Sequence, residues 1–230
     1  MQLLNKNNFA VSFAAAKEQS RYTMHAILVT DQETVATDGH ILARVSLPTE
    51  AKTQDFPNPP GFTPNGFTKA LVPVLTCKDI EKAIPKKPNF PILQHAAITT
   101  SEKNVQVAVN DLESPRVFTV KPPEGQFPNW DSSALWDHSK PAEPARNGLP
   151  AQPAKDGKPV IDIAFDANLL KRVLDAAVKF SNGDRIKPVR LRFYGNNDSM
   201  RFDMVNDDGQ ELNGLVMPVR SDVKPQFKPE

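Results

Sequence analysis

The stretch Thr34-Val35-Ala36-Thr37-Asp38-Gly39-His40-Ile41-Leu42-Ala43-Arg44-Val45 decides how the rest of the chain is read. Asp38-Gly39 marks a tight turn, because glycine takes φ > 0 without steric cost and aspartate bonds its own backbone nearby. Apolar residues on both flanks make the neighbours strands, so the stretch is a hairpin. Working back, Arg21-Tyr22 opens a strand that runs through Ile27-Leu28 to Thr30; working forward, the second arm of the hairpin continues through Ser46-Leu47-Pro48. Such hairpins are common, and this one gains meaning only from what surrounds it.

Outward from the hairpin, the hydrophobic period switches from helical to strand-like three times. In the first copy Phe9, Ala10, Phe13, Ala14 and Ala16 recur at helical spacing, and strands follow near Tyr22–Thr30, Thr34–Thr37 and Ile41–Leu47. The second copy opens with a strand near Ala70–Val74. A helix follows, with Thr76 as N-cap, Asp79 completing a capping box, a Leu75–Ile80 staple and a stop at Pro85. Its strands fall near Ile92–Thr99, Val105–Val109 and Pro115–Val120. The third copy begins with Val160–Ile163, and Asp166 caps a helix whose apolar face is Leu169, Leu170, Val173, Leu174, Ala177 and Val178. Val189, Leu191 and Phe193 alternate with arginines on the next strand, Phe202 and Met204 mark its neighbour, and Leu212–Val219 is the last.

Two proline-rich segments divide these copies. Residues 48–64 form a stiff connector within a first domain spanning 1–136. Residues 137–158, with Pro141, Pro144, Pro150 and Pro153 and almost no large apolar side chains, cannot build a core and read as a linker. The third copy occupies 159–220, and 221–230 is a tail. The net charge of +1 excludes a globally basic nucleic-acid binder, so any DNA contact depends on local charge placement. The single cysteine, Cys77, excludes an internal disulfide and a cysteine-rich metal site. The polar first residues carry no signal segment, and a soluble, cytoplasmic protein with no membrane partner is expected.

Three segments together resemble one family. Arg21-Tyr22, the hairpin with Thr34–His40, Leu42-Ala43 and Pro48 match the middle domain of the bacterial replicative sliding clamp, the DNA polymerase III beta subunit, except that Ile41 stands where the family usually has arginine. Gly125-Gln126-Phe127-Pro128-Asn129-Trp130 is similar to the segment where that domain ends, although Asp131-Ser132-Ser133 departs from the family's basic and apolar pair. Leu215-Val216-Met217-Pro218-Val219-Arg220 resembles its C-terminal strand. The resemblance implies an α+β sliding-clamp fold of three half-domain units, each a helix plus antiparallel strands. The chain then looks like a clamp without its first domain and the first half of its third.

The resemblance also implies a groove for short peptides of polymerases and other DNA enzymes. Thr37, Gly39, His40 and Leu42 would form one wall with Met24 beside them, Pro128 the opposite lip, and Val216, Met217, Pro218 and Val219 the floor. Core packing is the other reading of Val216 and Met217. Lys78, Lys82 and Lys86 share one helix face, and Lys171, Arg172 and Lys179 lie on the next helix. In a clamp these would meet the phosphates of double-stranded DNA without reading sequence; otherwise they are a solvated face. Twelve units make such a ring, so three per chain imply about four copies if the contacts run head-to-tail.

No catalytic residue is expected. Asp38 with His40 lacks a third partner at informative spacing, His25, His95 and His138 lie in unrelated contexts, and no metal, cofactor or phosphate loop is signalled. The implied function is a processivity factor that tethers polymerase to DNA. The alternative is a ringless clamp paralogue that regulates replication by binding clamp-seeking peptides.

Overall fold

The computed structural model describes residues 1–17, 22–49, 51–86, 88–101, 104–132, 163–181, 188–194 and 198–219. The expected linker at 137–158, the tail at 221–230, His138 and nearly all of the expected strand Val160–Ile163 lie outside them.

The first unit runs β1 (Gln2–Asn5), α1 (Lys6–Ala10), β2 (Ala26–Val29), β3 (Glu33–Thr37) and β4 (Ile41–Ser46). The second repeats that order as β5 (Ala70–Pro73), α2 (Val74–Ala83), β6 (His95–Thr100), β7 (Val105–Val109) and β8 (Arg116–Val120). The third supplies α3 (Ala167–Phe180), β9 (Arg190–Arg192), β10 (Met200–Val205) and β11 (Glu211–Val216).

All pairings are antiparallel, in two sheets ordered β1-β6-β7-β8 and β5-β2-β3-β4-β11-β10-β9. The order shows an exchange: β1 of the first unit lies on β6 of the second, and β5 of the second lies on β2 of the first. Each of those units thus finishes the other's sheet, as a pseudo-twofold requires. The third unit joins differently. Its last strand, β11, pairs with β4, and the two four- and three-stranded parts merge into one sheet of seven.

One large core lies between the sheets and helices. Leu4, Phe9, Ile27, Ile41, Ile80, Ile98, Phe202 and Leu212 are all sealed in it. The join between β4 and β11 depends on Gly214. A Cβ there would lie 2.1 Å from the Phe202 ring and 2.4 Å from the Leu42 carbonyl, so only glycine lets the two backbones and the ring meet. A polar cluster closes the far end of the same join. The Gln210 amide donates to Ser46 O at 2.7 Å and accepts from the Asn7 amide at 2.9 Å, while the Asn8 amide donates to Ser46 O at 3.0 Å.

Several boundaries differ from the sequence reading. Tyr22–His25 and Pro91–Gln94 are short 3₁₀ turns ahead of their strands. The second helix begins at Val74, directly after Pro73, so Thr76 is inside it and makes no cap, and the exposed Leu75 forms no staple. The buried stripe Val74, Cys77 and Ile80 fixes that start, because the apolar face begins a turn earlier than the capping pattern suggests. The Asp166 cap is present: its carboxylate accepts from the Asn168 N–H at 2.7 Å.

Candidate functional site

The hairpin turn is built from its own side chains. Gly39 takes φ +89°, the Asp38 carboxylate accepts from the His40 and Ile41 N–H groups at 2.9 and 3.0 Å, and the Thr37 hydroxyl donates to Ile41 O at 2.8 Å. Gly39 and His40 therefore project as an exposed lip, while Thr37 is buried in holding it. The other Asp38 oxygen receives Arg172 Nη1 at 2.7 Å, and the same guanidinium donates to Phe13 O and Ala15 O. Burial works against the Asp38 charge, but the bonds from Arg172, Ile41 and His40 prevail and hold its carboxyl below the usual carboxylate range.

Register decides which side chains face the outer surface. Leu42 stands opposite Leu215, and Ile41 opposite Val216. Directly opposed residues share a face and neighbours alternate, so Leu42 and Leu215 point outward while Ile41 and Val216 enter the core. Val216 is fully buried there and is no part of a groove floor. Leu215 is the residue of this pair on the outer face, itself buried beside Leu42; that pairing across the sheet was the signal that the motif reading missed.

The last strand ends at Val216, three residues earlier than its apolar run suggests. Pro218 has no N–H to continue the ladder. Met217 turns back to the hairpin, its N–H donating to His40 O at 2.9 Å, and Val219 N–H donates to Ala164 O at 2.8 Å. Met217 is 47% exposed beside the lip, Val219 is exposed, and Pro218 is half-buried.

On the same outer face, Phe127 and Trp130 pack over Leu28, Val35, Leu42 and Leu71. Pro128 is half-buried between them and lines a depression of about 1070 Å³ with Leu28, Leu71 and Trp130. The remote hairpin, C-terminal segment and Gly125–Trp130 segment thus converge around Leu42. Met24 is half-buried in the 3₁₀ turn, where its carbonyl accepts from Ala16 N–H at 3.0 Å.

The opposite, helical face carries a second feature. A groove of about 790 Å³ between the three helices is lined by Lys78, Lys82, Lys86, Lys179 and Arg172, together with Lys6 and Lys17, which sequence spacing did not single out. Glu81 and Asp175 are its acidic members. Burial, with Lys86 nearby, lowers the pKa of Lys6 despite Glu81. Arg172 is committed to Asp38 and the Phe13 carbonyl, and Lys171 lies off the groove, 2.7 Å from Asp175. Lys82 and Asp79 form an exposed pair.

Cys77 is buried on the core face of α2 with its thiol donating to Val72 O, and burial pushes that thiol far up, away from thiolate character. Among the described residues, no three His, Cys, Asp or Glu side chains gather to hold a metal, and no helix is long and apolar enough to cross a membrane.

This architecture is the sliding-clamp fold. Over 95% of this chain and 65% of its own, the DNA polymerase sliding clamp of Pseudomonas aeruginosa superposes with a TM-score of 0.59 at 20% identity. The sliding clamp of Caulobacter crescentus gives 0.57 at 16%, covering 96% and 65%. The DNA polymerase III beta chain of Streptococcus pneumoniae gives 0.57 at 15%, covering 95% and 64%. The chain spans just under two thirds of the length of these proteins. No protein-family model matches the sequence, and no curated protein matches it.

Proposed function

We propose that this protein is a non-enzymatic, clamp-like platform that docks short peptides of a DNA polymerase or other DNA enzymes and holds them at double-stranded DNA. The observation that carries the reading is the bond from Met217 N–H to His40 O. It seats a flexible, exposed thioether against the lip, on the sheet whose outer face carries Leu42 under Phe127 and Trp130, a surface suited to leucine or phenylalanine anchors on an extended peptide. The lysine groove on the opposite face supports non-specific contact with phosphates.

One observation favours the ringless form. The registers carry the pseudo-twofold from β4 to β8, matching the pairs Ala36–Ala43 and Val109–Arg116. Where the internal join places Ala43 against Gly214, β8, the terminal strand of its sheet among the described residues, carries exposed Arg116 on the core-facing side. A charge pointing inward on an edge strand opposes pairing with another edge.

The test is titration of a clamp-binding peptide, a glutamine followed by leucine and phenylalanine anchors. Binding is expected at micromolar strength, about −8 kcal/mol. Met217→Asp, which puts a charge where the anchor sits, removes binding with the melting curve unchanged, since the residue is exposed. His40→Ala weakens binding less. A panel of such peptides that all fail to bind the wild-type chain would overturn the groove.

A further inference from the structure

We infer, on the peptide reading above, that Arg172 is a positioning residue for the lip rather than a DNA contact, and that α3 is the frame from which both walls of the lip are held. The guanidinium Nε and Nη2 donate to Phe13 O at 2.9 and 2.7 Å, Nη2 also to Ala15 O at 3.3 Å, and Nη1 to the Asp38 carboxylate at 2.7 Å. Four of its five N–H groups are spent inside the chain by these bonds. The Arg172 side chain is 18% exposed and that of Asp38 14%. Arg172 lines the lysine groove, but little of it is left there to meet a phosphate.

The hairpin by itself does not place the lip. Gly39 and His40 are exposed, and the bonds from His40 and Ile41 N–H to Asp38 are local. They shape the turn without tying it to anything beyond its own strands. Arg172 supplies the outside reference. It joins the second Asp38 oxygen to α3 and, through the same planar fork, to the 3₁₀ turn Val11–Ala14 and the residue after it.

The other wall is referred to the same helix. Val219 N–H donates to Ala164 O at 2.8 Å, just ahead of the Asp166 cap that starts α3. Between the two ties, Met217 N–H meets His40 O at 2.9 Å. The position of the exposed Met217 thioether, which the peptide anchor meets, is thus set from α3 on both sides.

The test compares Arg172→Gln with wild type in the full-length chain. Peptide affinity is expected to fall about tenfold. The slope of DNA affinity against salt is expected to stay as in wild type, whereas Lys179→Ala keeps peptide affinity and lowers that slope by about 1. Arg172→Lys restores the charge toward Asp38 but not the fork, and is expected to fall between wild type and Arg172→Gln in peptide affinity. Ile98→Ala opens a core cavity in the second unit; it lowers stability without touching the lip and is expected to bind peptide as wild type does. Amide exchange reads the lip without a peptide: Ile41 and Met217 N–H are expected to lose protection in Arg172→Gln, with β6 and β7 unchanged. Equal peptide affinity in wild type and Arg172→Gln, or an equal loss in Ile98→Ala, overturns the positioning role and leaves the peptide reading standing. So does a salt slope that falls with Arg172→Gln as far as with Lys179→Ala. A panel of clamp-binding peptides that all fail on the wild type overturns the peptide reading, and this role with it.

Discussion

Asp38 does three jobs at one carboxylate: it caps the turn, receives Arg172 and so ties α3 to the hairpin that forms the lip. Replacing Arg172 by alanine strips a partly buried carboxylate of its partner and leaves Phe13 O without its donor. A loss of about 3 kcal/mol in urea unfolding at pH 7 is expected. Asp38→Asn should cost less, about 2 kcal/mol, because the amide oxygen still caps the turn. The pH dependence has a definite sign. The native carboxyl ionises below its ordinary value, so its contribution is complete above the unfolded pKa and is lost as pH falls through the native one. The gap between wild type and Asp38→Asn should therefore close below about pH 4. Glu33 works in reverse. Burial raises its pKa against the pull of Arg44, with Asp131 adding to the rise, so protonation relieves it; only the difference between the two proteins isolates Asp38.

At the scale of elements, the join of β4 to β11 binds the third unit to the first, and Gly214 is its tightest point. Gly214→Val has nowhere to put a side chain, since one obstacle is the Leu42 backbone and the other a fully buried ring. A loss of about 3 kcal/mol is expected in thermal or urea melts, with peptide affinity falling as Leu215 and Met217 shift away from the lip. Much of this element was legible in the sequence. The Asp38-Gly39 turn, the alternation of Val105, Val107 and Val109 and the Asp166 cap all appear where local chemistry put them. What local chemistry does not encode is register between remote strands. Val216 and Leu215 are equally apolar, and only pairing with Ile41 and Leu42 sends one inward and the other outward. The Thr76 capping pattern misled for a related reason: burial of Val74 outweighs a cap worth about 1 kcal/mol. Arg172 looked like one more helix-face cation until the fold brought Asp38 to it across more than 130 residues.

For the whole molecule, the outer sheet surface holds the apolar lip and the helical face holds the lysines, so peptide and phosphate would meet opposite sides. Sequence-independent DNA affinity should fall steeply with salt, and Lys78→Ala, Lys82→Ala, Lys86→Ala and Lys179→Ala combined should flatten that slope by about 3. Lys171→Ala, off the groove, should change it little. An unaltered slope in the quadruple variant would remove DNA from the helical face.

The exchange of β1 and β5 has a further consequence, in time rather than in space. The second residue of the chain pairs with Ile98, so the opening strand waits nearly a hundred residues for its partner. The β3–β4 hairpin closes on itself at once, whereas the sheet containing β1 cannot form until β6 has been made. Contacts so distant along the chain slow folding, because loop-closure entropy is lost before the pairing returns any stability. A nascent chain that has left the ribosome only as far as β4 would therefore carry Leu3 uncovered, because Phe56, Phe62, Ala97 and Ala108, which it packs against, all follow later in the sequence.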